Sequence, residues 1–160
     1  MSNKDPVDRT LDSAADATLV ASRALLGVIA RSLVGVLNHV TLPQFRVLVI
    51  LASSGPLRMG VIAARMGTHP STLSRIVDRL VIGELVVRQR NADSRREMLI
   101  ALSAAGRELV DRVTAQRRNE IRRVLAGLSS DEREQIEAAL SLFARAAAEA
   151  EPSELLVLGL

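Results

Sequence analysis

Between Ser71 and Arg96 the chain collects side chains suited to one kind of chemistry, the recognition of a polyanion. Ser71, Thr72 and Ser74 are small hydroxyl residues, Arg75 and Arg79 follow at helical spacing, and Arg88, Arg90, Arg95 and Arg96 form a second cluster. A guanidinium offers a planar fork that matches a phosphate or the exposed edge of guanine, and short hydroxyls donate or accept at base edges. From Arg75 to Arg96 six arginines stand against three acids, Asp78, Glu84 and Asp93, an excess of three that equals the formal charge of the whole chain, +3. The positive field is therefore concentrated in this stretch.

Such side chains work only if rigid elements aim them. The segment LRMGVIAARMG sets Ile62, Ala63 and Met66 at helical spacing and stops at Gly67, a residue suited to a left-handed helix end. Thr68 is expected to cap a second helix, with Pro70 tolerated in its first turn. There Leu73, Ile76, Val77 and Leu80 recur at i, i+3, i+4 and i+7 and face a core, which leaves Ser71, Thr72, Ser74, Arg75 and Arg79 outward. Gly83 is expected to end this helix, and LVVRQR and REMLIAL read as strands around the turn NADS, a hairpin with an arginine-loaded tip. Helix, turn, helix and hairpin in this order is the plan of a winged helix-turn-helix, with a recognition helix over 69–82 and a wing over 85–102. Either piece alone equally describes a surface amphipathic helix or a solvated charged hairpin; the order of all four carries the reading toward double-stranded DNA.

The segments LPQFRVLVILASSGPL, IAARMGTHPSTLSRIVDRLVIGELVVR and DSRREMLIALSAAG resemble the MarR family of bacterial transcriptional regulators. The resemblance is strongest from Leu42 to Gly106. Its most specific parts are the D-x-R wing, Asp93 and Arg95, the helix STLSRIVDRL, and the L-S-x-x-G start of the next helix, Leu102, Ser103 and Gly106. It implies a two-fold dimer built by interlocking terminal helices, with Arg95 inserted in the minor groove and Asp93 tethering the wing through a nearby arginine. Asp is also an ordinary turn residue. Arg88, Arg90 and Arg96 are candidate phosphate contacts, of which one is expected to be merely a solvated strand residue. The family also implies a cleft for small anionic aromatics between the dimerisation helices and the DNA reader. Asn38, His39 and Arg46 fall near that junction, where structural hydrogen bonding is the competing role.

Other chemistries are poorly served. The chain has no cysteine, which removes disulfides, thiolate catalysis and sensing by thiol oxidation, and only two histidines, His39 and His69, so no metal site is expected. There is no G-x-S-x-G elbow, no H-E-x-x-H and no glycine-rich phosphate loop, so neither an enzyme nor a cofactor is expected.

The remaining chain flanks the reader. With 48% hydrophobic but 1% aromatic residues, the core of this 160-residue chain must be built from Leu, Val, Ile and Ala, with Phe45 and Phe143 as its only rings. A helix is expected from about Leu11 to Val40. Its apolar run TLVASRALLGVIARSLVGVL is interrupted by Arg23 and Arg31, each costing about 2.5 to 3.5 kcal/mol near a bilayer centre, which argues against a membrane span and for burial under a partner chain. The polar first ten residues lack a signal-peptide core, so a cytoplasmic protein is expected. Thr41 and Pro43 open the next helix, Leu57 to Met59 are expected to add a short strand beside the wing, and Ser103 to cap a long helix ending at Gly127. Ser129 and Glu132 form a capping box for a last helix with Ile136, Leu140, Phe143 and Ala147, closed by Pro152 and an apolar tail.

The expected fold is mainly α with a small β-hairpin, a winged helix-turn-helix over 41–102 flanked by dimerisation helices in 1–40 and 103–160. The function this implies is a homodimeric regulator, expected to be a repressor, on a pseudo-palindromic operator. The rival is a helical dimerisation or ligand-binding adaptor whose winged domain contacts protein.

Overall fold

The computed structural model describes residues 6–91 and 97–147. Six helices and three strands follow in the order α1 (Pro6–Leu33), α2 (Leu42–Ser54), β1 (Leu57–Arg58), α3 (Met59–Met66), α4 (Pro70–Ile82), β2 (Val86–Arg90), β3 (Met98–Leu102), α5 (Ala104–Ala126) and α6 (Ser130–Ala146). The mainly helical class and the small sheet agree with the sequence reading, including the short strand at Leu57.

The core lies where α2, α3, α4, the sheet and the first half of α5 meet. Phe45, Val47, Leu48, Ile50 and Leu51 of α2, Ile62 of α3, Leu73, Val77 and Leu80 of α4, and Leu109, Val110 and Val113 of α5 are all buried in one cluster. Helix α2 starts with a capping box: Gln44 N–H donates to the Thr41 hydroxyl and the Thr41 N–H donates to Gln44 Oε1. The sheet is antiparallel in the order β1-β3-β2, with Leu57 opposite Ile100 and Val86 through Arg90 opposite Leu102 through Met98.

One helix start differs from expectation. Gly67 does take the left-handed conformation, φ 59°, and the Thr68 N–H closes α3 by donating to Ala63 O. The cap position of α4 is held by His69 rather than Thr68. At the other end of α4 Gly83 closes the helix as expected, φ −79°, and the residue after it, Glu84, is left-handed, φ 57°. Leu85 N–H donates to Leu80 O and Glu84 N–H to Val81 O, which completes the end of α4. A non-glycine residue there costs roughly 1 kcal/mol or more. The Ser103 hydroxyl compensates by donating to Glu84 O at 2.6 Å while accepting from Gly106 N–H at 3.0 Å, and the Ser103 N–H donates to Leu85 O. One serine thus ties the exit of α4, the root of the wing and the start of α5.

The terminal helices are less covered than the centre. Helix α1 ends at Leu33 rather than Val40, and residues 34–39 form turns. Its last turns pack on α5 through Val28, Ser32 and Leu33, which are buried. Arg117 is half-buried at this crossing, its Nε 3.4 Å from the Ser32 hydroxyl, and burial pushes its pKa below the usual arginine value. Farther out, Leu11, Leu19, Val20, Leu25 and Leu26 are exposed. By length and composition alone α1 is long and apolar enough to cross a membrane, with Arg23 and Arg31 within it. On α6 none of the described residues is buried; Ser129 and Glu132 form the expected capping box, and hydrogen bonds from Ser129 hold the Glu132 carboxyl below the usual range. Phe143, expected in the core, is 54% exposed, against 1% for Phe45. The apolar tail after Pro152 lies outside the described residues.

Gly106 allows α5 to approach the wing root. A Cβ at this position would stand 2.1 Å from Leu85 O and 3.0 Å from a Leu102 methyl, and the carbonyl is backbone with nowhere to retreat. Gly106→Ala is expected to destabilise the fold by about 2 to 3 kcal/mol, at the upper end of ordinary overpacking. Urea unfolding of the two proteins checks it; an unchanged midpoint would show that α5 and the wing root separate freely.

Candidate nucleic-acid interface

The recognition surface begins with the two faces of α4. Leu73, Val77 and Leu80 are buried and Ile76 is half-buried against the core, which leaves Ser71, Thr72, Arg75, Asp78 and Arg79 exposed on the opposite side. Ser74, expected outward, is half-buried. At the start of the helix Pro70 occupies the first turn, and the His69 ring accepts from the Ser71 N–H through Nδ1 at 3.3 Å. The Ser71 hydroxyl lies 2.8 Å from the same nitrogen.

Beside this face lies the N-terminus of α2. Thr41 and Gln44 together with Thr72, Arg75, Ile76 and Arg79 of α4 line a shallow cavity of about 200 Å³. Two guanidiniums therefore flank the groove between α2 and α4. Unpaired amides at helix starts and free guanidiniums both attract phosphate oxygens. The sequence reading missed this contribution of α2, although T-x-x-Q, Thr41 with Gln44, was legible as a helix start.

The wing is joined to α4 by an ion pair. Arg88 on β2 donates to the Asp78 carboxylate of α4 at 2.5 Å, with both side chains about half exposed. In sequence Asp78 reads only as an opposing charge and Arg88 as a candidate phosphate contact. The structure instead gives Arg88 a carboxylate partner, so its charge is already matched within the protein. A pair this exposed is worth about 0.2 to 1 kcal/mol, so its effect lies in orienting the wing rather than in stability. Arg90, two residues on, is exposed.

At the far end of the hairpin stem Asn91 N–H donates to Glu97 O at 2.9 Å and Asn91 Nδ2 to Glu97 Oε2 at 3.0 Å. Arg58 of β1 pairs with the same Glu97 carboxylate at 2.7 Å. Asp93, Arg95 and Arg96 lie outside the described residues, and so does the proposed tether by Asp93. Of the residues named for an effector, Asn38 and His39 are exposed in the turn after α1 and Arg46 is half-buried on α2. None of the three lines the cavity between α2 and α4.

This geometry has counterparts among known proteins. The MarR family model matches residues 40–98, which include α2, the sheet's first two strands, α3 and α4. Along nearly the whole chain the structure is similar to the crystal structure of RV1404 from Mycobacterium tuberculosis, at 40% identity and a TM-score of 0.76, covering 91% of this chain and 97% of that one. The chain belongs to the MarR family. This MarR chain is 27% identical over 106 residues to the uncharacterized HTH-type transcriptional regulator YfiV of Bacillus subtilis, covering 66% of each protein. It is 34% identical over 93 residues to the HTH-type transcriptional repressor MdtR of the same organism, covering 58% of this chain and 60% of MdtR. The alignments thus span less than two thirds of these two relatives' length. As a member of the MarR family the protein is a DNA-binding transcriptional regulator of the winged helix-turn-helix class and not an enzyme.

The two wing arginines should separate by salt dependence. An arginine that neutralises a phosphate releases counterions and contributes about 0.9 to the slope of log affinity against log salt. Arg90→Ala is expected to flatten that slope by about this amount per protomer, whereas Arg88→Ala, whose charge is matched by Asp78, should lower affinity with the slope unchanged. Titrations at four or more salt concentrations measure both. An equal flattening by both variants would mean that Arg88 leaves Asp78 for the DNA.

Proposed function

We propose that the protein is a homodimeric repressor that places helix 69–82 of each protomer in the major groove of a pseudo-palindromic operator and the wing 85–102 against the adjacent minor groove. The observation that carries this is the exposed row Ser71, Thr72, Arg75 and Arg79 on a helix whose other face is locked by Leu73, Val77 and Leu80. Ser74 and Arg90 are further proposed contacts among the described residues, and Asp93, Arg95 and Arg96 are proposed from the sequence. Arg75, in the first turns of the helix, is placed to offer its fork to a guanine.

The division into a reader over 41–102 and dimerisation segments in 1–40 and 103–160 is supported by where apolar side chains stay exposed. Leu19, Val20, Leu25 and Leu26 of α1 and Leu140, Leu142 and Phe143 of α6 lie on the two terminal helices, in line with a second copy covering them. A dimer sets the two readers about 34 Å apart, one turn of DNA. The repressor reading is supported by the similarity to MdtR. Release by a small anionic aromatic bound without a covalent bond fits the absence of cysteine, with Asn38, His39 and Arg46 at the α1–α2 junction as its proposed contacts.

The test of DNA reading compares Arg75→Ala with Arg95→Ala on an operator and its base-substituted variants. Loss of Arg75 is expected to change base preference by about 1 to 3 kcal/mol at one position in each half-site. Loss of Arg95 should weaken all sites alike and flatten the salt dependence by about two contacts per dimer. If neither variant alters affinity or salt dependence, the winged domain serves a protein partner.

Dimerisation is tested separately. Phe143→Glu removes little from the protomer's own core, so helical content should be retained while the dissociation constant rises at least about tenfold, the least expected for burying about 1.5 to 3 kcal/mol of aromatic side chain. Sedimentation over a concentration series measures it; an unchanged dimer would remove α6 from the interface.

A further inference from the structure

The cap of α4 is a histidine, an uncommon choice where Ser, Thr, Asp and Asn predominate, and its ring contacts the first hydroxyl of the recognition row. A backbone N–H can only donate. Because the Ser71 N–H points at Nδ1 of His69, 3.3 Å away, that nitrogen must carry its lone pair and the ring proton must sit on Nε2. The Ser71 hydroxyl approaches the same nitrogen at 2.8 Å, and a nitrogen that holds only a lone pair leaves the hydroxyl one role there, that of donor. The single hydrogen of Ser71 is thereby spent inside the protein. What remains on Oγ, on the exposed face at the start of α4, is acceptor capacity alone.

We propose that His69 is a specificity-determining residue that reads no base itself but fixes Ser71 as a hydrogen-bond acceptor toward the major groove. The groups that donate there are the amino groups of adenine and cytosine, whereas guanine and thymine present acceptors at their major-groove edges. A serine free to rotate satisfies either; the same serine held by His69 favours an adenine or cytosine opposite it and leaves two acceptors facing each other when guanine or thymine takes that place. The cap and the base preference are then one device. The nitrogen that satisfies the first free amide of the helix also sets the polarity of the side chain that follows.

This rests on the reading that Ser71 faces DNA bases, and the experiment separates the two. Bound sequences are selected from a randomised operator half-site with the full-length protein and with Ser71→Ala, His69→Ala and His69→Asn, and individual base substitutions are then titrated. Ser71→Ala is expected to flatten a preference for adenine or cytosine at one position by roughly threefold to tenfold, the range for a single hydrogen bond. His69→Ala should flatten the same position and no other. Asparagine accepts through Oδ1 and caps helices well, so His69→Asn should restore the preference. If His69→Ala lowers affinity uniformly across sequences, the ring is only a cap and the proposal fails while the contact of Ser71 stands. If Ser71→Ala alters no position, Ser71 does not read bases and both fall. A preference at the Ser71 position for guanine or thymine overturns the assigned polarity directly.

Discussion

The interface depends on the burial of one stripe of α4. Leu73, Val77 and Leu80 are each at most 1% exposed, packed with Leu48 and Leu51 of α2, Val86 of β2 and Ile100 of β3 in one cluster. Burying three such side chains contributes on the order of 5 to 9 kcal/mol before entropic costs. A stripe anchored this strongly cannot rotate, and on a helix of 3.6 residues per turn the orientation of one face settles the other. Ser71, Thr72, Arg75 and Arg79 face solvent because Leu73, Val77 and Leu80 cannot.

Around that helix, weaker interactions act by orientation. The pair between Arg88 and Asp78 ties the wing to the recognition helix, Glu97 gathers Arg58 and Asn91 at the end of the stem, and Ser103 fastens the wing root to α5. Each is exposed or half-exposed and adds little to stability. Together they give the hairpin a fixed direction relative to α4, and a DNA reader needs such a direction if helix and wing are to meet neighbouring grooves at the same time.

The terminal helices follow a different logic. Helix α1 packs on α5, held near its C-terminal end by Val28, Ser32 and Leu33 with Arg31 and Arg123 both drawn to Glu120. The exposed leucines before that point and the bare apolar side chains of α6 are more than a single protomer covers. Helix α5 joins this surface to the wing root, where Ser103 bonds to the backbone of Glu84 and Leu85.

Much of this was determined by sequence alone, because it depends on periodicity and local capping. The spacing of Leu73, Ile76, Val77 and Leu80 names the buried face of α4, Gly67 names the turn before it, and Ser103, Ser129 and Glu132 announce their helices through contacts only a few residues away. Tertiary structure decided what depends on groups distant in the chain or on competition between neighbours. His69 rather than Thr68 caps α4, and Glu84 takes the left-handed turn after Gly83 with the hydroxyl of Ser103, nineteen residues on, donating to its carbonyl. Arg88 found Asp78 ten residues away, on another element, and so left the set of free cations. Phe143 carries a core-like pattern yet stays in water, since amphipathic spacing specifies that a face wants cover but not which surface supplies it.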